Sequence, residues 1–476
     1  MIGHHHLEEG PIIFSRPLPF VDSFVEAIDA CLREHSPSSR GLSTIQRGWL
    51  KFCLMGVMVT NSVCWARFQR AGLGDYESPA LSWVFRKSKI PWDLLFYASI
   101  CVVVRLHGIL GGVLVLDDSE KKRSKSTKRI PRVHKVKDKS SGGYFQGQGL
   151  VFLILVTDTI TVPVGFEFYQ PDPAISSWKK KDKALRKLGT PKAQRPPEPA
   201  RNPDYPTKWE LALRLLKRFR DSHTTVSVQA VLADALYGNG KFMDTASAVF
   251  GSVQVISQLR NVQMVRLQGR TLSVKEYFAR SKGVSRTLRV RGGKNVSIIF
   301  NSARLFVSAH GTKRFVVAIK YDDELEYRYL VASDMSWRTE DILRAYTCRW
   351  LIEVFLQDWK GHEGFGALTK QPDEEGSSQS LILSLLVDHC LLLQPDQLAQ
   401  LKRKQPAFTV GSLINRVKVD GLMTVFQELF ASDDPQKEIE KLAEILTKQF
   451  TLMPSKKHMV AEILGDWSHP HLSCTE

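Results

Sequence analysis

The sequence predicts an α/β chain: a mixed β-sheet core interrupted by a further run of strands, with helical regions at both ends. Three observations carry this reading. Apolar residues recur at helical spacing up to about residue 110 and again beyond about 375; short apolar β-type runs alternate with amphipathic stretches from 113 to 260; residues 262–335 alternate in strand fashion. The chain has 476 residues, too many for one compact core at roughly 100–200 residues per domain, so two to four domains are expected. Hydrophobic residues at 43% and charged residues at 24% exclude a wholly disordered or fibrous chain.

The first segment, 1–110, reads as a helical DNA-binding region. Phe24, Ile28 and Leu32 keep helical spacing, and Trp49 to Val59 is an apolar stretch that Ser43 and Thr44 can cap. MIGHHHLEEGP at the amino terminus lacks a basic region followed by an apolar run, so it is not a secretory signal, and His4, His5 and His6 read as a tail. The most apolar stretch, Leu94 to Leu116, carries Arg105 and His107 in its middle, so no membrane span is expected. Seven cysteines without paired spacing indicate a reducing compartment and argue against a zinc ribbon.

Lys and Arg number 66 against 49 Asp and Glu, and the net charge of +17 favours a polyanionic partner, nucleic acid first. The excess is concentrated. Ser119 to Lys139 holds ten Lys/Arg against two acids, and Trp178 to Arg201 nine against two. Both segments are poor in apolar residues and read as exposed loops, with Lys121, Lys122, Arg123 and Lys125 as phosphate contacts.

Between and around these runs, VLVLDD (113–118), GLVFLILVTD (149–158) and TVPVGFEFY (161–169) are strand candidates, the latter two turning as a hairpin at Asp158-Thr159. KWELALRLLKRFRD (208–221) is an amphipathic helix, and QAVLADALYG (229–238) and GSVQVISQLR (251–260) are further strands. The order β-β-β-α-β-α-β is the succession of a ribonuclease-H-like core. The core's first part is assigned to 111–261, an inserted β domain with turns at Gly283, Gly292-Gly293 and Gly311 to 262–336, the core's final helix to 337–374, and a helical carboxy-terminal region, for dimerisation or DNA contact, to 375–476.

YTCRWLIEVFLQDWK (346–360) carries the chemistry. At roughly 100° per residue, Tyr346, Arg349, Glu353 and Lys360 fall within about 60° of one helix face, opposite Leu351, Ile352 and Phe355. A carboxylate flanked by Arg, Lys and a phenol suits a metal-bound phosphate; a solvated Glu/Arg ion pair is the alternative.

With these spacings the stripe resembles the Y-x2-R-x3-E-x6-K signature of DDE transposases of bacterial insertion sequences, the YREK group. Asp117-Asp118-Ser119 stands where that family has its first acid, at the end of a strand, and Asp234 in VLADALYG stands where it has its second. The resemblance covers about 113–361. It implies that Asp117, Asp234 and Glu353 are catalytic and hold two Mg2+ ions, for which Mn2+ can substitute, while Tyr346, Arg349 and Lys360 contact DNA. Adjacent residues of a strand point to opposite faces, so only one of the two is expected to be a ligand; the resemblance favours Asp117, which sits two residues before Ser119 as in the family's Asp-x-Ser/Thr pattern, and Asp118 is expected to face away. Asp158, Asp358 and Glu363 are assigned to the surface. The family's insertion holds a flipped base on an aromatic ring, for which Tyr327, Tyr329 and Trp337 are candidates, with core packing the alternative.

The function so implied is cut-and-paste transposition: binding of terminal inverted repeats, endonuclease cleavage and strand joining by a homodimer on double-stranded transposon ends and target DNA, in a bacterial cytoplasm. A ribonuclease-H-like nuclease or resolvase, and a transposase-derived repressor, are the competing readings.

Overall fold

A computed structural model describes residues 13–35, 41–123, 130–138, 141–289, 295–322, 324–368 and 373–450. Among the described residues the first elements are five helices: α1 (Pro19–His35), α2 (Thr44–Thr60), α3 (Trp65–Ala71), α4 (Ser78–Lys87) and α5 (Trp92–Leu106). Ser43 caps α2 in a reciprocal box with Gln46, so the capping signal marks the true start of the helix. His4, His5 and His6 lie outside the described residues.

Three long strands and one short one follow: β1 (Gly111–Lys122), β2 (His134–Lys137), β3 (Tyr144–Val156) and β4 (Thr161–Tyr169). Next come α6 (Pro173–Lys187), α7 (Lys208–Ser222), β5 (Ser227–Ala233), α8 (Gly240–Val249) and β6 (Gln254–Leu259). β3 lies between β4 and β1, antiparallel to both. β5 runs parallel to β1, and β6 parallel to β5. The spatial order β4-β3-β1-β5-β6 is that of a ribonuclease-H-like sheet. α7 covers the β3–β4 side of the sheet and α8 packs beside it near β6, burying Leu211, Leu215 and Phe219 of α7 and Phe242 and Met243 of α8.

The inserted strands share this sheet. They are β7 (Met264–Leu267), β8 (Arg270–Ser273), β9 (Val284–Arg289), β10 (Asn295–Val307), β11 (Thr312–Tyr321) and β12 (Arg328–Ala332), with the short helix α9 (Val274–Phe278) among them. β12 is antiparallel to β6, with Tyr329 opposite Leu259, and the whole forms one sheet of twelve strands.

The chain closes with α10 (Thr339–Thr347), α11 (Trp350–His362), α12 (Glu374–Leu391), α13 (Pro395–Lys402), α14 (Val410–Ala431) and α15 (Pro435–Gln449). α12 is wedged between β4 and the amino-terminal helices α2 and α5, so one apolar core runs from α1 through the sheet to α12. Among the described residues no single helix is long and apolar enough to cross a membrane; the bent pair Glu375–Leu391 and Pro395–Lys402 passes by length and composition only.

Both basic segments differ from the expected loops. β1 continues through Ser119 to Lys122, paired with Gly147 to Leu150 of β3, and Ser119 and Lys121 point inward. The second segment begins in helix α6, which holds Trp178 to Lys187, and the remainder, from Leu188 on, lies outside that helix. Pro173 at its first position and Asp172, whose carboxylate accepts from the Ala174 amide at 2.8 Å, define its start. A cap contributes about 1 kcal/mol, more than the few tenths lost per like-charge pair along the helix. Asp182 is buried there and pairs with Arg195 at 2.7 Å.

Candidate active site

Parallel pairing of β1 and β5 builds the site. Leu116 stands opposite Ala233, so the next residues, Asp117 within β1 and Asp234 just past β5, emerge together where the pairing of the two strands ends. β5 leaves the sheet here: Asp234 caps a short 3-10 turn, its carboxylate accepting from the Leu236 amide at 2.8 Å, while the Ser257 hydroxyl donates to its carbonyl at 2.6 Å.

Asp118 joins the cluster, contrary to strand alternation. One oxygen from each of Asp117, Asp118 and Asp234 lies within 4.8 Å of the others. The edge of β1 that paired with β5 is open beyond Leu116. There the Asp117 carboxylate turns along the strand and accepts from the Asp118 amide at 2.8 Å, which brings the neighbouring carboxylates together. Asp118 also pairs with Lys208 at the start of α7.

The third expected acid arrives on α11. Glu353 accepts from Arg349, whose guanidinium also reaches Asp117 at 3.4 Å. The expected continuous helix is two, α10 and α11, meeting at Cys348 and Arg349. Tyr346, at the end of α10, accepts a hydrogen bond from Gln258 of β6 at 2.6 Å, and burial pushes its phenol up to about 12. Asp117, Asp118, Asp234, Gln258, Glu353 and Lys360 line one open cleft, a cavity of about 800 Å³.

The electrostatics suit a hard divalent cation. Burial first, and then the Asp234 and Asp118 charges, push the Asp117 carboxyl up to about 6 against the opposing pull of the Asp118 amide and Arg349. Like-charged carboxylates at this separation repel, and a cation with oxygen ligands removes that repulsion. Burial lowers Lys360 on the far wall.

Several predicted DNA contacts lie elsewhere. Lys121 is buried, donates to the carbonyls of Phe365 and Gly366, sits 4.9 Å from the Phe365 ring centroid, and is pulled down to about 8 by burial, then by Arg123 and Lys360. Arg123 grips the Gln148 side chain at 2.8 and 3.0 Å. Lys122 is exposed, and Lys125 lies outside the described residues. Tyr329 is buried against Phe278, so it offers no face to a base. Tyr327 and Trp337 are half-buried, Tyr327 beneath Lys320. Asp158 is exposed in its turn and Asp358 half-buried. Glu363 is fully buried beside Asp388 rather than on the surface, because the chain turns inward after α11 and α12 closes over it.

Sequence reasoning set Asp118 aside in favour of Asp117, and missed Lys208 and Gln258. Alternation argued against the first, and no spacing marks the other two, which come from α7 and β6.

Residues 70–297 match the family model of the DDE superfamily endonucleases. The match spans Asp117, Asp118 and Asp234 and ends before Glu353. No curated protein matches the chain. Among solved structures, a piggyBac transposase synaptic complex with hairpin DNA aligns with 93% of this chain and 86% of that one, at 9% identity and a TM-score of 0.40. A likeness at that level carries no argument about this chain.

Proposed function

We propose that the chain is a DDE transposase with a YREK-type third acid, cutting and joining DNA at paired transposon ends as a dimer. The observation that supports this most is the convergence of Asp117, Asp118 and Asp234 from parallel β1 and β5 with Glu353 from α11 in one open cleft, within and beside the segment that matches DDE endonucleases. Asp117, Asp234 and Glu353 would hold two Mg2+ ions, with Asp118 beside them. Such ions, when bound, lower the pKa of an attacking oxygen and stabilise a leaving one.

The chain's own groups do the rest. Arg349, now tying Asp117 to Glu353, has the planar fork that phosphate oxygens accept, and Lys360 supplies a point charge on the same wall. Tyr346, fixed by Gln258, holds the DNA backbone alongside. The open cleft admits a duplex end first and a target strand second.

Strand joining separates this reading from a simple nuclease. Precut duplex ends taken from DNA flanking the coding region, with a free 3′ hydroxyl, are expected to join to supercoiled plasmid in Mg2+. Lys360→Ala should lower joining by about 10- to 100-fold, the worth of one charge-assisted contact. Efficient cutting of the same ends with no joining in any metal would move the protein to the nucleases.

A further inference from the structure

A second cluster of ligand-type side chains lies where α1, α5 and the end of α7 meet. Ligand atoms of Cys31, His35 and Cys101 lie within 4.8 Å of one another. Cys31 Sγ is 3.5 Å from Nδ1 of His35, one helical turn on. Cys101 Sγ is 4.0 Å from Nδ1 of His223, which caps the carboxyl end of α7. In a tetrahedral site with Zn–S of about 2.3 Å and Zn–N of about 2.1 Å, ligand atoms stand about 3.4–3.8 Å apart, so Cys31, His35 and Cys101 close onto an ion by shifts of up to about 1 Å, and His223 is drawn in from its place beside Cys101.

We propose that Cys31, His35, Cys101 and His223 bind one zinc-class divalent cation that fastens the amino-terminal helices to the catalytic core. Two thiols and two imidazoles are soft and borderline donors that favour such an ion over Mg2+. The rings are already oriented: Tyr97 meets His35 edge-on and stacks on His223, both at 5.2 Å between centroids. A cavity of about 510 Å³ lined by His35, Cys101, Arg105 and His223 opens onto the cluster and gives the ion a path in. His35 Nδ1 bonds the Cys31 carbonyl at 2.9 Å, and that bond gives way to the metal. Cys31 and His35 are four residues apart, but Cys101 and His223 are separated by 122, so no sequence spacing announces the set.

The site also bears on the carboxylate cleft, because His223 precedes β5 and Asp234 directly follows it. The cation would hold the root of the strand whose tip carries the second acid.

Cobalt reports thiolate ligation directly, which carboxylates cannot imitate. The reduced full-length chain, carrying His4→Ala, His5→Ala and His6→Ala so that the tail cannot compete, is expected to show a thiolate-to-cobalt absorption band at about one equivalent of Co2+. Zn2+ should displace that band, and Cys31→Ser with Cys101→Ser should abolish it and weaken Zn2+ binding by about 10- to 100-fold or more. Since Cys31 is buried and its replacement can unfold the chain, Zn2+ protection of Cys101 from alkylation is measured on the chain with native cysteines as well. No cobalt–thiolate band, alkylation indifferent to Zn2+, or a stable Cys31–Cys101 disulfide in the protein under reducing conditions would each overturn the proposal.

Discussion

Asp117 sets the pH behaviour of the cleft. Its carboxyl is raised to about 6 by burial and by the charges of Asp234 and Asp118, yet it must be ionised to hold a cation. Mg2+-dependent cleavage should therefore fall as pH drops through about 6. The sign for stability is opposite: the folded chain retains this proton between the ordinary carboxylate value and about 6, so its contribution to stability is largest at low pH and is lost as pH rises through that window. Asp118→Asn removes one of the repelling charges and should move the acid limb of a cleavage-rate profile to lower pH; an unmoved limb would place Asp118 electrostatically outside the cluster. Lys121 makes a different prediction from the phosphate role its sequence context suggests. Its ammonium satisfies two backbone carbonyls beside the end of α11, so Lys121→Ala should lower stability by about 1–3 kcal/mol in denaturant melts and leave the salt dependence of DNA binding unchanged. Sequence could not show this, because alternation along β1 turns Lys121 inward only once the strand is known to extend past Asp118.

Elements join the cleft to a buried carboxyl pair at the far end of α11. Glu363 and Asp388 of α12 are both fully enclosed; burial raises Glu363 well above the usual range and Asp388 to about 8. Folding thus takes up protons from the ordinary carboxylate range to at least about pH 8, and stability falls as pH rises across that window. Glu363→Gln should flatten the fall, seen as a Tm that drops less between pH 5 and 8 (about the window's limits) than in the wild type; an equal drop would show that the pair is not the source. Much at this scale was legible. The hairpin strand Thr161–Tyr169, the helix from Lys208 and the cap at Ser43 stand where their patterns put them, since each is fixed by local signals. The break between α10 and α11 was not, because Tyr346 to Lys360 keeps one helical period across it. Nor was helix α6, where charge density hid the signal of Asp172 and Pro173.

At the largest scale, one sheet, of twelve strands among the described residues, carries both the acid-bearing strands and the inserted segment. The order of the core strands was legible because their apolar runs alternate with amphipathic helices. The edge pairing of β12 with β6 was not, since it joins residues about 70 apart with no local signal. Of the excess charge, Lys179, Lys180, Lys181 and Lys183 of α6 are exposed and available to a polyanion. Neutralising these four should flatten the dependence of DNA affinity on salt by up to about 0.9 for each phosphate that the helix ceases to neutralise, equally on cognate and random duplexes; an unchanged slope would leave α6 merely solvated. The central claim is that Asp117, Asp234 and Glu353 form one phosphoryl-transfer site. Its most direct measurement is the single-turnover rate of nicking of flanking-end DNA in Mg2+ by the wild type, Asp234→Ala and Glu353→Gln, with end binding followed in the same samples. Both variants should bind the ends about as tightly as the wild type and nick them at least about 100- to 1,000-fold more slowly; nicking near the wild-type rate by either variant would contradict the account.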